Sequence, residues 1–125
     1  MIFLDRYSPQ LLSVLRIVAG LLFLEHGTSK LLGLPHSAMS DHLPPLLLAA
    51  GIIELVGGVL IVLGLFSRLA AFVASGECAV AYWIYHVPHG GPFPTLNGGD
   101  AAILFCFVFL YLASAGPGPW AINQK

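Results

Sequence analysis

Four apolar runs, each near the length that crosses a bilayer, constrain this chain more than any other feature. A helix needs about 20 residues to span the hydrocarbon, and a barrel strand only about half that. The first run predicts a helix over about 9–34, with Ser8 as N-cap and Pro9 at the first helical position, where its missing N–H costs nothing. Gly33 and Pro35 supply the stop, and a polar loop from His36 to His42 follows. The second helix is expected over 44–66, opening at Pro44-Pro45, and the third over 68–87. Almost no loop separates them, which makes an antiparallel hairpin. Pro88 to Pro94 is rich in residues that end helices, and the fourth helix is expected over 99–115. Gly116-Pro117-Gly118-Pro119 ends it, and an amphipathic tail from Trp120 to Lys125 is expected at the membrane interface.

The chain is 58% hydrophobic and 9% charged, against about 25% charged in soluble domains. At 125 residues it makes one domain. The fold class is therefore all-α: an integral membrane four-helix up-down bundle in contact with the lipid bilayer. A net charge of −1 supports no nucleic-acid partner. Small-residue faces are compatible with a homodimer, though no motif fixes one. Met1 to Tyr7 carries Asp5 and Arg6 ahead of a run too long for a signal peptide, so no leader is expected to be removed. Arg6, Arg16, Arg68 and Lys125 fall at the termini and the second loop, while the first and third loops hold no lysine or arginine. The positive-inside rule then puts both termini in the cytoplasm of a bacterial cell, with the protein in the inner membrane.

Ionisable groups inside such runs are expensive, and a function is expected near them. Glu25, His26 and Lys30 lie in the outer half of the first helix, Glu54 and Glu77 near the middle of the second and third. Trp83, Tyr85 and His86 continue the third helix outward, and Asp100 opens the fourth on the same side. Glu54 shares its face with Gly51, Gly57 and Gly58, and Glu77 shares its face with Ala70, Ala74 and Ala81, so both point into the bundle. His26 and Lys30, four apart, share a face.

The plainer reading of these groups is helix glue, with a carboxyl paired to Lys30 or Arg16, and Arg16 snorkelling to the headgroups. Arg6 and Arg68 read as topology charges. The sharper reading is a lipid-accessible redox or proton site. A quinone head needs donors for its carbonyls and proton carriers for its reduction, which histidine, carboxyl, tyrosine and lysine side chains provide. Metal or haem has less support: His36, His42, His86 and His89 share one side, but Pro88 is expected to break the His86-x-x-His89 face. Cys78 and Cys106 are too far apart for a Cys-x-x-Cys motif and read as small buried hydrophobes. Asn97 and Asp100 suit a helix start, through capping and the helix dipole.

Arg16, Gly20-Leu21-Leu22-Phe23 and His26-Gly27-Thr28-Ser29-Lys30-Leu31 together resemble the first-helix signature of the DoxX family. The resemblance continues through Glu54-Leu55-Val56-Gly57-Gly58, Leu63 to Ala70, Asn97-Gly98-Gly99-Asp100 and Gly116 to Trp120. It implies four membrane helices and an association with membrane redox systems. One relative is the membrane subunit of a thiosulfate:quinone oxidoreductase, and some members are reported in a membrane complex with a superoxide dismutase and a sulfurtransferase. The matching polar positions are Arg16, His26, Lys30, Glu54 and Asn97, while Asp100 stands where many relatives have glutamate.

The expected function is thus a membrane subunit that passes electrons from a thiol or sulfur donor, or a redox partner protein, to quinone. Glu54, Glu77 and Glu25 are the expected catalytic proton carriers. His26, Lys30, Trp83, Tyr85, His86, Asn97 and Asp100 are the expected cofactor contacts. The rival is a non-catalytic scaffold recruiting a redox or detoxification enzyme. A small-solute carrier is a third possibility, with no inverted repeat to support it.

Overall fold

The computed structural model describes residues 1–37 and 41–125, and every regular element among them is helical. A one-turn helix α1 (Ile2–Asp5) leads into α2 (Ser8–Leu32), which has 25 residues. Residues 38–40 of the expected polar loop lie outside the described residues, and α3 (Pro45–Leu63) follows. Next come α4 (Ser67–Ala81), a π-turn (Tyr82–His86) and the one-turn α5 (Val87–Gly90). The one-turn α6 (Pro94–Asn97) and α7 (Asp100–Ala115) complete the order. Both α2 and α3 are long and apolar enough to cross a membrane. The 16 residues of α7 reach about 24 Å, short of the roughly 30 Å of hydrocarbon.

The stops fall near where glycine and proline place them. Gly33 takes a left-handed conformation at the end of α2, and Gly64 does the same after α3. The start of α2 differs: Ser8 lies inside the helix, Tyr7 is the N-cap, and no side chain caps the turn.

The third helix departs from expectation most. Winding continues without a break from Ser67 through Pro88 to Gly90. Proline inside a helix has no N–H to give and crowds the carbonyl four residues back. Here the preceding turn is widened to the π form, with the Val87 N–H bonded to Tyr82 O, which takes up the mismatch. His86 and His89 therefore stand on one continuous helical path.

Glycines set how closely α2 and α3 run. A Cβ on Gly27 would lie 2.5 Å from Leu55 N, and one on Gly58 would lie 2.8 Å from Leu24 Cα. Backbones meet because side chains are missing, the usual device where lipid gives no hydrophobic drive to association. The pairing of residues 20 with 61, 27 with 55 and 51 with 31 makes the two helices antiparallel. α4 packs on α7, where Ser75 Oγ donates to the Cys106 carbonyl at 2.7 Å. Phe23, Ile61, Ala74 and Phe109 fill the centre, with Phe23 edge-on to Phe109 at 4.9 Å between centroids. The outer faces stay apolar, as at Leu69, Phe72, Leu104 and Phe107, which suits a protein whose surrounding medium is lipid.

At the end opposite the 33–44 loop, the tail folds back over the helices. Arg16 does not snorkel: it is 1% exposed and donates to the carbonyls of Pro117, Trp120 and Val62, the last in the final turn of α3. Arg68 likewise donates to Ala113 O and Ser114 O in the last turn of α7, and to Gln124 O. Each arginine thus meets the negative end of a helix dipole and the carbonyls that a helix end leaves unpaired. The tail adds backbone bonds from Ile122 N–H to Leu63 O and from Asn123 N–H to Gly64 O.

Candidate functional site

At the loop end of the helices, α2, α3, α4, the π-turn and α7 enclose a cavity of about 180 Å³. Lys30 comes from the last turn of α2 and Glu54 from the middle of α3. The glycine seam brings these helices close enough for Lys30 Nζ to sit 2.6 Å from Glu54 Oε1. Their side chains are only 12% and 7% exposed, so this is a desolvated ion pair. One of the three ammonium protons is spent on Glu54, which leaves two for a ligand.

Glu77, from α4, lines the same cavity and interacts electrostatically with both Glu54 and Lys30. Among the described residues it has no ion pair of its own; the Cys78 thiol donates to its Oε2 at 3.6 Å. The site therefore holds two carboxyls against one ammonium.

His26 and His86 complete the polar wall. His26 Nδ1 lies 2.7 Å from Leu22 O, and His86 Nδ1 lies 3.1 Å from Asn97 O. A carbonyl only accepts, so each Nδ1 carries a proton and each Nε2 is left for other partners. In a neutral ring that Nε2 accepts a hydrogen bond, and in a charged ring it donates one. Phe23 and Phe105 supply apolar wall, with Phe105 edge-on to His26 at 5.7 Å.

Asn97 does not line the cavity. Its amide donates to Gly91 O at 2.7 Å and to Tyr82 Oη at 3.3 Å, while Oδ1 accepts the Gly99 N–H at 2.8 Å. Tyr82 in turn donates to Pro92 O at 2.8 Å. Asn97 thus fixes the loop that presents its own carbonyl to His86.

The structure gathers His26, Lys30, Glu54, Glu77, Tyr85 and His86 around one cavity. Glu25 and Asp100 face outward, as does Trp83 at 67% exposure, and none of the three lines it. Sequence reasoning missed Cys78, Phe23 and Phe105 as wall residues. The adjacency of Cys78 to Glu77 was the only available signal, and it needed the rotation of α4 to be informative. His36, weighed as a ligand, pairs with Asp41 at 3.4 Å. Among the described residues no three histidine, cysteine or acidic side chains group as a metal site.

The family model described as DoxX matches residues 11–87, which includes every cavity residue from α2, α3 and α4 named above. A protein of Haemophilus influenzae, described only as uncharacterized, is 45% identical over 130 residues, covering 98% of this chain and 95% of its own length. No solved structure matches.

Proposed function

This chain belongs to the DoxX family, and on that premise we propose that it is the membrane subunit of a quinone-linked redox system, passing electrons from a thiol or sulfur donor or a partner enzyme to membrane quinone. In this reading all four long helical segments cross the bacterial inner membrane as an up-down bundle. The path from Ser67 to Gly90 supplies the third crossing, and α7 the short fourth. Arg6, Arg68 and Lys125 lie at the cytoplasmic end.

The observation that carries the site is the buried Lys30–Glu54 pair, placed in the wall of a cavity that also holds Glu77 and two histidines. Size supports the assignment: an apolar cavity of about 150 Å³ accepts benzene, and this one measures about 180 Å³. A quinone, when bound, supplies two-electron, two-proton redox chemistry. Lys30 donates to a ligand carbonyl, and Glu54 holds the ammonium in place. The Nε2 atoms of His26 and His86 bind a ligand oxygen and exchange a proton with it. Glu77, outside the ion pair, carries protons toward or away from them. Phe23 and Phe105 cover the ring and exclude water.

The test is equilibrium binding of a quinone to the purified chain, with mass spectrometry of co-extracted small molecules. Lys30→Met and His26→Ala should each weaken binding by about tenfold or more, the scale of one charge-assisted hydrogen bond. Glu25→Gln and Asp100→Asn, on outward residues, should leave it intact. Undiminished binding in both cavity variants refutes the assignment. A scaffold for a redox or detoxification enzyme is the second reading, and it draws on Glu25, Trp83 and Asp100, which face outward near the loops. It expects a protein partner in native membranes and no bound quinone.

A further inference from the structure

The hairpin of α3 and α4 sets Glu54 and Glu77 at one depth. Glu54 lies nine residues before Leu63, where α3 ends, and Glu77 ten residues after Ser67, where α4 begins. At helical rise that is about 14 Å and about 15 Å from the turn. Both acids line the cavity, and a side-chain hydrogen bond joins them. An ionised carboxyl only accepts hydrogen bonds, so two carboxylates have no bond to offer each other. Out of water they also repel, and two acids sharing a site resist ionising together. A bond between Glu54 and Glu77 therefore requires a proton between them.

The groups around the two acids do not take that proton's place. Lys30, from α2, lies 2.6 Å from Glu54 Oε1 and is the cavity's one ion-paired cation among the described residues. His26, on the same helix, turns Nδ1 to Leu22 O, and His86, in the π-turn, turns Nδ1 to Asn97 O. Whatever their charge, neither histidine forms an ion pair with Glu54 or Glu77 among the described residues. The Cys78 thiol donates to Glu77 Oε2 at 3.6 Å, which serves one acid without joining the two. Tyr85 lines the wall from the π-turn, and the wall residues of α7, Ala101, Ala102 and Phe105, carry no titratable group.

The geometry points to one proton shared between Glu54 and Glu77, which makes the pair a proton-binding site in the cavity wall. Lys30 balances the single negative charge left on the loaded pair, so the three groups together are neutral and can stay out of water. Loss of the proton leaves two carboxylates against one ammonium, a state that draws a proton back. The site thus binds and releases a proton beside the ligand space. This holds whichever ligand fills the cavity, so it stands or falls apart from the quinone reading.

The experiment is infrared spectroscopy of the full chain in lipid nanodiscs at about pH 6, well above the range near pH 4 where an exposed carboxyl holds its proton. Isotope-labelled glutamate separates the carbonyl stretch of a protonated glutamate from aspartate and lipid esters. The native chain should show one such band per chain. Its position should be low in the carboxyl range, because the strong bond to a partly ionised partner weakens the C=O. Glu77→Gln and Glu54→Gln should each abolish the band, since the acid that remains pairs, ionised, with Lys30. Glu25→Gln, on an outward residue, should leave it unchanged. Absence of the band in the native chain overturns the inference, and so does a band high in the range, the mark of an isolated acid; neither result needs a variant that folds. A band that survives both substitutions at the pair places the proton elsewhere, and one that survives a single substitution places it on one acid alone. Either outcome also overturns it.

Discussion

Replacing Lys30 with methionine leaves Glu54 buried without its counter-ion. The stem length is kept and the cavity wall stays filled, so the change isolates the charge. The Glu54 side chain is 7% exposed, its ammonium partner lies 2.6 Å away, and no other cation is paired with it among the described residues. Removing one member of such a pair costs about 3–5 kcal/mol, whereas replacing both is often neutral. Lys30→Met should therefore lower the folding equilibrium constant by roughly two to four orders of magnitude. Lys30→Met/Glu54→Gln should recover most of the loss, since the amide needs only a hydrogen bond in place of a charge. The assay is reversible unfolding in mixed micelles across the native chain, both single variants and the double. A double variant as unstable as the summed singles refutes the argument, because it makes the two sites independent. Recovered stability without recovered quinone binding would separate the pair's role in the fold from its role at the ligand.

Three further outcomes follow from other parts of the molecule. Arg16→Lys keeps the charge but loses the fork that reaches Val62, Pro117 and Trp120, and should cost about 1.5–3 kcal/mol for each bond lost, read as earlier thermal unfolding. Gly27→Ala forces α2 and α3 apart at Leu55 N and should destabilise by about 1–3 kcal/mol in the same assay, with reduced cross-linking between cysteines placed across the seam. Asn97→Asp removes the amide donors to Gly91 O and Tyr82 Oη, so it should cost about 1–3 kcal/mol and weaken quinone binding through His86, which binding measured on the folded fraction will detect.

Much of the fold was legible because its signals are local. Pro44-Pro45, Gly33 and the Gly116 to Pro119 run each mark a helix boundary within a few residues, whereas the helix expected to reach residue 66 stops at Leu63, where Gly64 turns left-handed. The small-residue face beside Glu54 likewise placed that carboxyl inside the molecule, where it is found at 5% exposure. The π-turn was not legible, since a proline normally ends a helix and nothing in Tyr82 to His86 announces a wider turn. Nor were the roles of Arg16 and Arg68, whose carbonyl partners are set by where the tail lands. Within the candidate site, residue type pointed to the ionisable members but helix rotation decided among them. Glu25 and His26 are neighbours in sequence, yet His26 lines the cavity and Glu25 faces outward.

The separation between Arg16 and its acceptors also has a consequence for how the protein is made. Pro117 and Trp120 lie 101 and 104 residues further along the chain. During synthesis α2 therefore leaves the ribosome carrying a guanidinium whose acceptors have not yet been translated. For most of that interval, nascent chains must shelter it with water, headgroups or the insertion machinery. Arrival of the tail completes the set of acceptors in a single late step. A product truncated before residue 117 lacks two of the three and leaves the guanidinium with Val62 O alone.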